Sequence, residues 1–593
     1  MIISSYLNPS RFSLACISIF LFTNLLHAQL PPVWGNNNQN RVRNENCIHR
    51  YVTPSSILWV SDKSGNCISN ADGLLEKGTG QVTFRTQGLC SMISKKDSMA
   101  SILLDFGREL NGGVQIVIGK SPKKGVTRFR VRFGESASEA MAEFGEKNTT
   151  NDHAIRDFEL LAPWFGNVEA GNSGFRFVRI DLLDTGRVVL LKEVNAVFKY
   201  LDIPYLGSFR CSDERLNKIW ETGAYTVHLN MQDYIFDGIK RDRLVWVGDL
   251  HPEIMTIQSV FGYNDAVPRS LDYVRNSTPL PNWMNGFSSY SMWWIIIHRD
   301  WYKYQGDFSY LAEQKNYLLP LLEQLMTRIK ESGEENLDGH QILDWPSSDN
   351  KKALHAGMQA LMIIAMNAGA ELCSYLNEPE MQKKCLDAVT LLRKHVPDPN
   401  GAKQAAAIMA LAGLSSAEKV NSEVLAKNAS SGISPFFGYY VLQARAKAGD
   451  YQGALDCIRE YWGAMLDLGA TTFWENFQME NLKDAARIDQ LIPKGKKDII
   501  GDYGDYCYIG FRHSLCHGWA AGPTPWFSEH VLGIKIMDPG CKIIKIEPHL
   551  GDLQWAEGAF PTPLGVIHVR HEKNAEGKIK TSYDAPKGVK VIL

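Results

Sequence analysis

Neither sign of charge dominates this sequence: 63 Lys and Arg stand against 65 Asp and Glu, for a net charge of −2. A general nucleic-acid binder carries a basic face, and a protein that rides on anionic membranes carries a cationic patch. Neither is expected here. Cysteine is scarce too, with 11 in 593 residues and none in a Cys-x-x-Cys spacing. That excludes a disulfide scaffold and the common zinc motifs. The chain also lacks a Gly-rich phosphate loop, a dinucleotide fingerprint and a metal-ligand helix motif. After the N-terminal segment there is no further run of about 18 apolar residues, so the mature chain is expected to have no membrane span. What is present, 45% hydrophobic and 22% charged residues, is ordinary for a globular protein and excludes disorder over most of the length. At roughly 150 residues per domain, three or four domains are expected.

Arg11 is followed by an apolar stretch, 12–26, that ends in Leu26, His27 and Ala28. This pattern reads as an export signal, residues 1–28, cleaved after Ala28, and directs the protein to the periplasm or the medium. Cys16 lies inside the stretch and leaves a lipoprotein reading open. An oxidising compartment would permit a bridge among Cys47, Cys67 and Cys90.

Three textures follow. Residues 29–206 are strand-like, with Val-, Ile- and Phe-rich segments at 101–106, 114–118, 127–133, 175–183 and 188–198. Residues 127–133 alternate polar and apolar, as a half-buried antiparallel strand does, and a β-sandwich is expected. Residues 207–535 are helical, with Ala-, Leu- and Met-rich segments at 355–376, 402–414, 439–447 and 451–468. The pairs Gly306-Asp307 and Gly449-Asp450 predict a left-handed helix end followed by an N-cap, the punctuation of stacked helical hairpins. Residues 536–593 return to short strands, at 543–547, 565–570, 578–583 and 589–593, and predict a small closing β-domain.

Eleven of the 15 tryptophans fall in 207–535. A tryptophan stripe can be core, or a platform for the apolar C–H faces of sugars. The densest polar stretch is 237–249, with Asp237, Lys240, Arg241, Asp242, Arg243, Trp246 and Asp249, interrupted by Gly238 and Gly248. One reading is a salt-bridged loop. The other follows from Leu244, Val245, Trp246 and Val247, which anchor the loop inward. Partly desolvated carboxylates can keep a proton near neutral pH while Arg neighbours hold others ionised. A second stretch, 469–475, ends in Trp474-Glu475, and a third, 513–519, holds Cys516, His517 and Trp519. Cys516 and His517 are adjacent and point different ways, which disfavours a thiol nucleophile. Trp293, Trp294 and Asp344-Trp345 are further loop-end candidates.

The stretch 237–249 resembles the signature of the α-L-rhamnosidases of glycoside hydrolase family 78, roughly Asp-x-Pro-x-Arg-(Asp)-Glu-Arg-x-Gly-Trp-x-Gly-Asp. Asp237, Arg241, Arg243, Trp246, Gly248 and Asp249 match it. The segment ending at Glu475 resembles the family's second motif. Residues 514–519, the 546–549 segment, Trp555 and 561–563 resemble its C-terminal pattern, so the likeness covers about 200–570. It implies an (α/α)6 barrel flanked by an N-terminal β-sandwich and a small C-terminal β-domain, and hydrolysis with inversion. It puts Asp242 in the general acid's position and Glu475 in the base's. Asp237, Arg241, Trp246, Asp249 and His517 shape the rhamnose pocket, and Trp294, Trp345 and Trp474 are offered as further sugar contacts. The expected partner is a rhamnose-bearing oligosaccharide or polysaccharide, and two carboxylates need neither a metal nor an organic cofactor. Three residues depart from the pattern: Asp242 replaces a longer Glu, Ile239 a Pro, and Val245 a Gly. Glu253 is therefore held in reserve as the acid. Two other readings stay open: another (α/α)-barrel glycosidase or lyase acting on uronic-acid polysaccharide, the lyase using Tyr234, Tyr290 or His517, and an inactive carbohydrate binder.

Overall fold

The computed structural model describes residues 47–593 apart from 63, 65 and 507. The predicted export segment 1–28, its cleavage point and residues 29–46 lie outside the described residues.

Nine strands form one antiparallel hydrogen-bonded set. Its middle runs Val188–Leu201, Ser101–Ile118, Gly166–Leu182, Thr127–Gly134, Asp157–Ala162. The segments expected as two strands at 101–106 and 114–118 are one strand with register shifts after Asp105 and Gly112. The glycines between these segments are where neighbouring backbone presses closest. A Cβ on Gly112 would collide with the Val197 carbonyl, and one on Gly113 with the carbonyls of Ala170 and Gly171. One side of these strands closes over a core that includes Ile102, Leu104, Val114, Ile116, Phe129, Val131 and Phe175. On the other, Leu103 and Phe177 meet the short helix Ala137–Met141. That cover explains a departure in Thr127–Gly134. Its alternation is right, yet Arg132 is fully buried, with ion pairs to Asp181 at 2.6 Å and Glu143 at 2.9 Å.

The helical region forms a ring. Leu250–Val260 touches Ser288–Gln305, which touches Lys351–Tyr375, then Lys403–Ala412, then Pro435–Lys447. Pro523–Trp526 meets both this last helix and Leu250–Val260, returning to the start. Outer helices such as Phe308–Met326 and Pro379–Leu392 pack behind. Lys351–Tyr375 is apolar and long enough to cross a membrane by composition, but 83% of its apolar window is buried inside the protein. It is a core helix. The predicted punctuation is present. Gly306 (φ 68°) ends one helix and Asp307 accepts from Tyr310 N at 3.1 Å. Gly449 (φ 78°) ends another, and Asp450 accepts from Gly453 N at 3.0 Å.

The C-terminal strands Trp555–Thr562, Gly565–Lys573 and Ile579–Asp584 make a sheet whose edge is Ser208–Cys211. The first residues of the expected helical region therefore pair with the end of the chain. Trp555–Thr562 contains Pro561 and carried no strand pattern. Among the described residues, Cys67 and Cys90 are free thiols rather than partners in the suggested bridge. Burial pushes the Cys90 thiol up to about 12.

Asp450 also takes Arg445 (2.7 Å) and Asn421 (2.9 Å) on its second oxygen. Asp450→Ala removes a cap worth about 1 kcal/mol and a charged hydrogen bond worth about 1.5–3 kcal/mol. The expected result is a lower thermal midpoint by calorimetry, with Asp450→Asn, which keeps the cap acceptor, losing clearly less.

Candidate active site

Three chain segments lie side by side and form the floor of a polar site. The middle one is 514–518. Glu475 N donates to Ser514 O at 3.0 Å and His517 N to Phe473 O at 3.0 Å, tying in the second motif. On its other side Gly518 N donates to Asp237 O at 3.0 Å, and Gly238 pairs with His517 as an isolated bridge. Segments about 240 and 40 residues apart in sequence thus bring Asp237, Glu475 and His517 onto one floor.

The stretch 237–249 is irregular, as its glycines require, and helix Leu250–Val260 begins directly after Asp249. At its centre Asp242 (φ 52°) and Arg243 (φ 55°) are both left-handed. Non-glycine residues in that region cost about 1–3 kcal/mol each and persist where surroundings over-determine them. Here the surroundings are specific. Lys240 turns one way, where its buried ammonium meets Glu135 (3.0 Å), Glu139 (3.1 Å) and the carbonyls of Phe511 and His513. Arg241 turns the other way and pairs with Glu475 through Nη2, while its Nη1 lies 3.6 Å from Asp242 Oδ1. Arg243 donates to Asn172 O at 2.7 Å. Asp242 accepts from the Trp246 indole at 3.1 Å and lies 2.9 Å from His153 Nδ1.

The acids sort by environment. Asp237 is buried beside Asp249 and Asp242. Desolvation first, then that like charge, pushes its carboxyl well above the usual range, against one backbone donor from Leu244. Burial raises Asp249 to about 8, although the Tyr290 hydroxyl donates to it at 2.8 Å. Asp249 Oδ2 lies 3.4 Å from His517 Nε2, and burial holds that imidazole well below its ordinary value. Burial thus disfavours the charged form of both groups. Glu475 accepts from Ser514 N at 3.2 Å in addition to its Arg241 pair. Asp242 is the most accessible of the cluster, its side chain 17% exposed against 4% for Asp249 and 2% for Glu475. Glu253, the reserve acid, is fully buried, and neither of its oxygens has a hydrogen-bond partner among the described residues. It packs on Gly518, and burial pushes it well above the carboxylate range.

The aromatic candidates divide. Trp246 is half-buried, edge-on to Phe287 and Tyr290. Trp345 is half-buried and leans on Tyr506 and Tyr508, and Tyr508 lies under Arg241 at 5.8 Å. Trp474 is buried but lines a small cavity with Tyr508 and His513. Trp294 is not brought to the acids. It is fully buried, bonded to Leu271 O at 3.2 Å and packed on His298 and Tyr317. Most of the clustered tryptophans are core, because the ring of helices needs large flat side chains between its layers. Cys516 is also buried, and burial raises its thiol well above the ordinary value, which removes a thiolate nucleophile. Tyr290 is spent on Asp249, and Tyr234 stacks near Tyr273 and Phe236, so neither is poised as a lyase base.

Sequence reasoning missed the contribution of the N-terminal strands. Glu135, Glu139, His153 and Asn172 all reach the motif, and Glu135 also accepts from Leu515 N at 2.7 Å. No local pattern distinguishes them from surface acids and turns.

The site is a buried floor of several carboxyls around the Arg241 guanidinium, with half-buried aromatics at its edge and a helical ring behind it. Residues 204–396 match the bacterial alpha-L-rhamnosidase 6 hairpin glycosidase domain, and 533–593 the bacterial alpha-L-rhamnosidase C-terminal domain. An alpha-L-rhamnosidase of Alteromonas sp. (strain LOR) is 24% identical over 537 residues, 82% of this chain and 54% of that protein. The GH78 family rhamnosidase of Bacillus sp. GL1 superposes with a TM-score of 0.71 at 22% identity, over 88% of this chain and 55% of that one. A Klebsiella oxytoca rhamnosidase with rhamnose bound gives 0.64 at 18% identity, over 82% and 96%. The chain resembles the α-L-rhamnosidases of glycoside hydrolase family 78, and spans about half the length of the Alteromonas and Bacillus proteins.

Two outcomes are expected. Gly518→Ala forces a methyl against the Glu253 carboxyl and costs about 1–3 kcal/mol by overpacking, seen as a lower thermal midpoint. Asp249, with a folded value of about 8 against an ordinary 3.8, favours the folded state when protonated. That contribution is full below about pH 4 and is lost as pH rises towards about 8. The thermal midpoint of Asp249→Asn should therefore gain on the wild type across that window. A difference that stays constant with pH would refute the assignment.

Proposed function

We propose that the protein is an exported, exo-acting glycoside hydrolase that releases terminal α-L-rhamnose from plant or algal polysaccharide or glycoconjugate. The ring of helices is read as an (α/α)6 barrel, with the N-terminal strands as a β-sandwich. The reading rests on one observation above the others: Arg241 spans Glu475 and Asp242 through two different nitrogens. Two carboxyls on one guanidinium stay near one another without sharing a proton. Inversion needs them roughly 6.5–9.5 Å apart, with a water on one side of the sugar and the leaving oxygen on the other.

In this mechanism Glu475 is the base. Paired with the Arg241 guanidinium, it takes a proton from a water. That water's oxygen forms the new bond to the anomeric carbon as the glycosidic bond breaks on the opposite face. Asp242 gives its proton to the departing oxygen, so the electron pair of the broken bond ends as a hydroxyl on the aglycone. Its greater accessibility favours it over the sealed Glu253. The aspartate is one methylene shorter than the family's glutamate. The left-handed turn at 242–243 and the contact from His153 support it as a repositioned acid. Asp237 and Asp249, whose carboxyls burial pushes up, face the sugar hydroxyls as hydrogen-bonding partners, and Trp246 and Trp345 offer flat faces. The export reading continues to rest on the apolar stretch 12–26.

The test is hydrolysis of 4-nitrophenyl α-L-rhamnoside, with the first product anomer followed by NMR. β-L-Rhamnose is expected, and Glu475→Gln and Asp242→Asn should each lower kcat by about 10²–10⁴. His153→Ala should lower kcat with less change in KM. The α anomer as first product would remove inversion. An unsaturated product would indicate a lyase, and binding without turnover an inactive carbohydrate binder.

A further inference from the structure

We propose that Glu334, His355 and His395 form a binding site for a first-row divalent cation of the Zn²⁺ class, remote in sequence from the motifs above. One ligand atom from each lies within 4.8 Å of the others. The three come from separate elements. Glu334 sits in the hairpin closed by the Ile329–Glu335 bridge, His355 in the first turns of Lys351–Tyr375, and His395 just after Pro379–Leu392.

The two imidazoles face each other, Nε2 to Nε2, at 3.0 Å. Two nitrogens bound tetrahedrally at about 2.0–2.1 Å from zinc are roughly 3.3 Å apart, so the pair is already near chelating distance. Glu334 Oε1 lies 3.9 Å from His355 Nε2 on a side chain 35% exposed, which can swing in, while Lys330 holds its other oxygen at 2.9 Å. Water would complete four-coordination, and imidazole with carboxylate suits zinc and its neighbours better than calcium or magnesium.

The surrounding support is built. Glu335 is buried and accepts from His355 Nδ1 at 2.6 Å and from Leu337 N at 2.9 Å. That carboxylate fixes the proton of His355 on Nδ1 and leaves the Nε2 lone pair directed at the site, the arrangement that orients metal-bound histidines. Gln359, fully buried, ties the same three elements together through Glu335 N, Gly333 O and Leu392 O. A cation here would clamp the hairpin 329–340, whose Asp338 takes the Trp283 indole at 2.8 Å. Trp283 borders Asn285, which holds Val245 O and Val247 N of the motif loop. The role assigned is structural.

The test uses the full chain, stripped with a chelator and dialysed. Calorimetric titration with Zn²⁺ should give one saturable site per chain. Co²⁺ should give visible d–d bands of four-coordinate intensity. His355→Ala and His395→Ala should each weaken binding at least tenfold and abolish the bands. Glu335→Gln, which leaves the ligands in place, should weaken it by about 10–100-fold. Zn²⁺ should raise the thermal midpoint of the wild type but not of His395→Ala. No saturable binding by the wild type, or unchanged affinity in His395→Ala, would overturn the proposal and leave the two histidines as a plain hydrogen-bonded pair.

Discussion

The guanidinium of Arg241 is the constraint on which the site depends. Charges removed from water are tolerable only when paired, and stripping one partner from a buried pair costs about 3–5 kcal/mol. Arg241 is buried, and it answers Glu475 and Asp242 together. Asp237, Asp249 and Glu253 lack such a direct pair, and burial pushes their carboxyls above the ordinary range. Pairing and burial thereby divide the cluster by environment. A proposed acid–base reaction at neutral pH needs that division.

The same residue depends on its neighbour. Lys240 and Arg241 are adjacent in sequence and leave the chain in opposite directions, one to Glu135 and Glu139, the other to Glu475. Each pins the other's backbone, and the left-handed pair Asp242–Arg243 follows from the sharp reversal. Asn172 lies on strand Gly166–Leu182, Glu139 on the short helix Ala137–Met141, and Glu135 and His153 in connections of the same N-terminal region, so that region is part of the site's wall. Deleting it would leave Lys240 buried without acids and Asp242 without His153.

Much of this was legible along the chain. The alternation at 127–133, the Gly-Asp caps at 306–307 and 449–450, and the long Ala- and Met-rich helices all act within a few residues, where propensity and capping operate. The motif loop was legible as a dense charge cluster with apolar anchors. The strand at 555–562 was not: it carries Gly558 and Pro561, and it is held between the adjacent Gly565–Lys573 and Ser208–Cys211, the latter more than three hundred residues away. Nor was the single bent strand at 101–118, where Gly112 and Gly113 serve close backbone approach rather than a turn. Of the tryptophans offered as sugar contacts, one turns away from the site. Trp294 is core, and periodicity cannot tell which face of a buried helix turns toward a cavity.

By itself, then, the sequence determined the three-part order of strands, helices and strands, the helix ends, and the residue types gathered at 237–249 and 469–475. Those are local matters of backbone preference and side-chain chemistry. The tertiary structure alone decided which acids are paired and which are pushed up by burial, that Trp294 faces away, that Glu253 is sealed behind Gly518, and that His153 meets Asp242. Each of these depends on burial and on partners brought from distant segments, and desolvation is a property of the folded surroundings, not of a residue's place in the chain.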